Sequence, residues 1–102
     1  MNVIVDTGAS YYPGKPVTPQ QIAETVINVI GKRLIINTTS TETIAELANK
    51  VKAYLTIPPG ATKFDVEIWL MDGETALNPS DMLIQAGIND GANVWAQIII
   101  AF

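Results

Sequence analysis

The chain contains neither cysteine nor histidine. Without cysteine there is no disulfide, no thiol nucleophile and no thiolate metal site. Without histidine there is no Ser-His-Asp triad, no imidazole ligand for zinc and no haem held by histidine. Basic residues are few: six Lys and Arg stand against ten Asp and Glu, a net charge of −4. The imbalance is local, because residues 1–51 carry four basic and four acidic groups, whereas residues 52–102 carry two basic and six acidic ones (Asp65, Glu67, Asp72, Glu74, Asp81, Asp90). Nucleic-acid backbones are bound by clustered Lys and Arg, so no nucleic-acid partner is expected. Long apolar runs are missing too. Nothing approaches the roughly 20 residues that span a bilayer, and membrane insertion is not expected. No basic stretch followed by an apolar one marks a secretory signal, which leads us to expect a cytoplasmic protein. The composition is that of a globular chain: 102 residues, 48% hydrophobic and 16% charged, enough for a modest core in one domain.

Residues 2–5 (Asn-Val-Ile-Val) suit a short strand or an arm, and residues 7–21 are rich in turn formers (Gly8, Ser10, Pro13, Gly14, Pro16, Pro19), so residues 1–21 read as an N-terminal extension or arm docking on a body formed by residues 22–102. Residues 22–30 fit two patterns. Thr18-Pro19-Gln20-Gln21 looks like a capped helix start, and Ile22, Ala23, Val26, Ile27 and Ile30 form a helical stripe ending at Gly31. The β-branched Thr25-Val26-Ile27 and Val29-Ile30 suit a strand turning at Gly31-Lys32 into Leu34-Ile35-Ile36, and this hairpin is the favoured reading.

The rest of the chain is more explicit. Ile44, Leu47, Ala48, Val51 and Leu55 lie on one face of a helix over 42–55, capped by Ser40 or Thr41, with Glu46 and Lys50 as an i,i+4 pair on the wet side. Phe64, Val66, Ile68 and Leu70 alternate with Lys63, Asp65, Glu67 and Trp69, a strand with one buried face. Asp72-Gly73 reads as a hairpin turn into a short strand, Asn78–Asp81 as a turn anchored by Met82, Leu83 and Ile88, and Asp90-Gly91 as a further turn. Val94, Ala96, Ile98 and Ile100 mark the last strand. The sum is an α+β chain: a mixed sheet with one main helix packed on one face.

This order resembles ubiquitin and other β-grasp proteins, and particular residues carry the resemblance. The segment GKRLIINTTSTETIAELANKVKAYLTIPP is similar to the family's hairpin turn, second strand, helix and following Ile-Pro-Pro. The segment LNPSDMLIQAGINDGANVWAQI is similar to its closing turn and last strand. The likeness covers about residues 24–100 and extends to the small ubiquitin-like subunit of bacterial toluene monooxygenases and the ubiquitin-like accessory proteins of type VII secretion systems. It implies a β-grasp roll and a non-catalytic role, as an adaptor or accessory subunit of a larger bacterial assembly. Conjugated members end in Gly-Gly, whereas the last residues here are Ile98-Ile99-Ile100-Ala101-Phe102, so conjugation and sulfur carriage are not expected. The alternative is a ubiquitin-type modifier truncated before its Gly-Gly tail.

Three local features bear on chemistry. Val3-Ile4-Val5-Asp6-Thr7-Gly8-Ala9-Ser10 matches the apolar-apolar-Asp-Thr-Gly signature of aspartic proteases, in which two aspartates share a proton; a dimeric protease using Asp6 is the catalytic alternative. One copy would suffice in a homodimer, but those enzymes have strands before the motif, whereas Asp6 is almost N-terminal, and their Gly-rich flap and later apolar-Gly segment have no counterpart here, so an enzyme is not expected. Asp65, Glu67, Asp72 and Glu74 gather around one turn without calcium-loop spacing and read as a solvated face, so no cofactor is expected. Trp69 falls on the wet face with Asp65 and Glu67, and Trp95 shares its register with Gln97 and Ile99. In a ubiquitin-like sheet these strands are neighbours, so Trp69, Trp95, Gln97 and Glu67 are the expected partner-binding residues on the exposed sheet face. Tyr11, Tyr12 and Pro13 of the arm are the competing cover for the two indoles. A homodimer through the same face or through a sheet edge is the other partner reading.

Overall fold

Period-two alternation builds the centre of this protein and helical stripes cover it. A computed structural model describes residues 1–11 and 16–102. Strands β1 (Asn2–Tyr11), β2 (Arg33–Asn37), β3 (Lys63–Leu70) and β4 (Asn93–Ala101) form one sheet in the order β2-β1-β4-β3. Helix α1 (Pro19–Asn28) joins β1 to β2, and helix α2 (Ile44–Ala53) joins β2 to β3. The central pair, β1 and β4, is parallel, while β2 and β3 run antiparallel to their neighbours at the two edges. The fold is therefore α+β with a four-stranded mixed sheet and two helices. Among the described residues no helix is long and apolar enough to cross a membrane.

One sheet face is the core. Val3 and Val5 of β1, Ile36 of β2, Ile68 of β3, and Val94, Ala96, Ile98 and Ile100 of β4 are all buried on it. The stripe Ile44, Leu47, Ala48, Val51 of α2 closes that face, with Leu55 just beyond and Leu83 and Ile88 from the β3–β4 connection. Burying a side chain of this size contributes about 1.5–3 kcal/mol.

Four expectations are corrected. Residues 2–11 are one of the two central strands of the sheet rather than an extension docked on it. Tyr12 and Pro13 lie outside the described residues. Residues 19–28 are the helix α1 rather than the first half of a hairpin. The Thr18 hydroxyl accepts from the Gln21 amide at 3.2 Å, and the Gln21 side chain accepts from the Thr18 amide at 2.8 Å. Together with Pro19 in the first turn, this capping box outweighs the β-branched residues, and Gly31, at φ +71°, follows the helix as a left-handed residue. Strand β2 pairs with β1 instead (Val3 with Ile36, Val5 with Leu34).

The other two corrections concern α2 and the segment after β3. The cap of α2 is Thr43, not Ser40 or Thr41, and Glu46 reaches back to it. Lys50 binds Glu42 at 2.7 Å and the Asn37 carbonyl at 3.0 Å in place of Glu46. After β3 the expected short strand does not form, and the chain keeps a single ladder-like bond there, from the Leu77 amide to the Ile68 carbonyl at 2.8 Å. The Asn78–Asp81 and Asp90–Gly91 turns are in place: the Asp81 amide donates to the Asn78 carbonyl, and Gly91 has φ +80°.

Candidate functional site

Sheet pleating sends every second residue of β1, β3 and β4 to the face turned away from α2. On that face Trp69 of β3 stands directly opposite Trp95 of β4, Glu67 opposite Gln97, and Asp65 opposite Ile99. The parallel pairing adds Gly8 beside Gln97 and Ser10 beside Ile99. The four residues expected to bind a partner are thus brought together on two adjacent strands. Both indoles are half-buried rather than freely exposed.

Two local arrangements hold Trp95. Its ring lies over Gly8, where a Cβ would overlap the Cζ2 atom, so the absence of a side chain on β1 is what admits the ring. Its Nε1–H donates to Gln97 Oε1 at 2.8 Å, and Gln97 Nε2 in turn donates to Ser10 Oγ at 2.5 Å. Gln97 therefore orients Trp95 from the edge of the same face. Trp69 is different: its Nε1 is buried without an acceptor among the described residues. Buried donors normally find a partner, so an orphan here marks a place where the fold alone does not complete the hydrogen bonding.

Between these groups is a hollow of about 450 Å³, lined by Ser10, Tyr11, Glu67, Trp69, Trp95, Gln97 and Ile99. Glu67 is half-buried at this hollow and, among the described residues, has neither a hydrogen bond nor an ion pair. Tyr11 contributes to the lining, while its ring stacks on Phe102 with centroids 6.3 Å apart. Tyr11, expected as a cover for the indoles, is among the lining residues, and Ser10 joins it unanticipated. The period-two alternation of Val3, Val5, Thr7 and Ala9 against Ile4, Asp6, Gly8 and Ser10 is the signal that places Ser10 on this face.

The Asp6-Thr7-Gly8 triplet lies inside β1, and each residue has a structural partner. Asp6 accepts from Arg33 Nε at 2.8 Å, Arg33 Nη2 at 3.2 Å and Asn93 Nδ2 at 3.1 Å. The Arg33 guanidinium holds the Asp6 carboxyl below its usual range. The Thr7 hydroxyl donates to the Val29 carbonyl at 2.7 Å and accepts from the Lys32 amide at 3.0 Å. Gly8 makes room for Trp95. Among the described residues no group of three or more carboxylates converges as a metal site, the acidic cluster around Asp72 included. Compared with protein-family models and with curated proteins, the chain matches none.

Proposed function

We propose that this chain is a ubiquitin-like β-grasp module that binds another protein through its Trp69–Trp95 face, as an adaptor or accessory subunit of a larger bacterial assembly in the cytoplasm. The strand order supports the β-grasp reading: a parallel central pair, antiparallel edge strands, and a helix between β2 and β3 packed on one face. Helix α1 then replaces the tight turn that joins the first two strands in ubiquitin.

The observation that carries the binding role is the pairing of the chain's two tryptophans across β3 and β4 at a hollow with a polar border of Ser10, Glu67 and Gln97. Tryptophans concentrated in a concave patch with polar edges are the usual anatomy of a protein-binding hot spot. The test is affinity capture with wild type and with a Trp69→Ala/Trp95→Ala variant that circular dichroism shows to be folded. A stoichiometric protein retained by wild type and absent from the variant supports this reading. The same proteins retained by both would remove it.

A further inference from the structure

We propose that the Trp69–Trp95 hollow is built for a cationic side chain, specifically an arginine presented by the partner protein. The inference rests on the partner-binding reading above and names the chemistry of the group that enters. Two observations converge. The hollow is lined by two indoles, whose π faces are electron-rich and attract cations. The carboxylate at its edge, Glu67, is half-buried yet has no cation or hydrogen-bond donor among the described residues.

Arginine fits this set better than lysine. Its planar guanidinium stacks on an indole while its edge donates two parallel hydrogen bonds to a carboxylate, and a compact ammonium does only one of these well. Ile99 offers apolar surface to the methylene stem. An anionic or purely aliphatic anchor would leave Glu67 repelled or stripped of water without a partner.

The test is selection of a displayed random-peptide library on the wild-type protein, followed by synthesis of the enriched peptides. The chain's two tryptophans both line the hollow, so intrinsic tryptophan emission reports binding directly. The expected result is enrichment of peptides with one recurrent arginine. Replacing that arginine by its neutral isostere citrulline, or making the near-isosteric Glu67→Gln substitution, should weaken binding by about tenfold or more. Peptides that depend on Trp69 and Trp95 but tolerate both replacements would overturn this inference and leave the partner-binding reading standing. Absence of any tryptophan-dependent peptide would overturn both. Self-association of the wild type that Glu67→Gln abolishes, without peptide binding, would put a second copy in the hollow and also overturn it.

Discussion

Gly8 of β1 and Trp95 of β4 share one volume: the indole occupies the space that a Cβ on residue 8 would take. A glycine at the centre of a strand costs stability relative to residues with side chains, and here it is exchanged for a seated tryptophan. Gly8→Ala should push the ring outward and break its 2.8 Å bond to Gln97. The expected cost is about 1–3 kcal/mol, with a red shift of tryptophan emission. Denaturant unfolding and fluorescence check it together; unchanged emission and stability would show that the ring has another place to lie.

Thr7 joins β1 to the chain leaving α1. Its hydroxyl serves both the Val29 carbonyl and the Lys32 amide from a buried position. Thr7→Val keeps the shape and removes both bonds, leaving two backbone groups without their side-chain partner. A loss of about 2–4 kcal/mol is expected in urea unfolding. Thr7→Ser should retain most of the stability, because it keeps the hydroxyl.

The acid limb of stability should report on Glu42. Lys50 and the Thr38 hydroxyl hold its carboxyl below the usual range. A carboxyl depressed in the folded state adds stability above its unfolded pKa, and that stability is lost as pH falls through the folded value. Glu42→Gln should therefore lower stability near neutral pH, and the difference from wild type should shrink as pH falls through the acid range. Unfolding midpoints measured across that range check the sign; a difference independent of pH would contradict it.

The α2 stripe is where the core is most easily opened. Leu47 is fully buried between α2 and the sheet. Leu47→Ala should cost about 2–5 kcal/mol, whereas truncating the exposed Ile27 of α1 should cost little. Equal costs for the two would mean that α1 is packed in solution.

The elements that were legible are those where burial and local pattern agree. Leu47 and Val51 on α2, and Ile98 and Ile100 on β4, are buried where their periodicity puts them. The opposition of Trp69 and Trp95 follows from the same alternation in two adjacent strands. The continuation of β1 beyond Val5 was hidden because Gly8 and Ser10 are turn formers by composition. They are tolerated in a central strand because Gly8 must lie under Trp95 and Ser10 receives the Gln97 side chain. Helix α1 was legible as the second of two patterns, set behind a hairpin because Val26 and Ile27 suit strands; both are exposed on the helix, so packing did not choose their conformation, and the Thr18–Gln21 cap did. Lys50 left Glu46 because Glu42 and the Asn37 carbonyl, distant along the helix pattern, are brought close by the end of β2.

The most direct measurement is the equilibrium affinity of the captured partner for wild type and for the folded Trp69→Ala/Trp95→Ala variant. If this face is the binding surface, the double substitution should weaken the complex by about 2 kcal/mol or more, at least roughly thirtyfold in Kd. An affinity within a factor of two of wild type would place the partner elsewhere on the molecule and contradict the account.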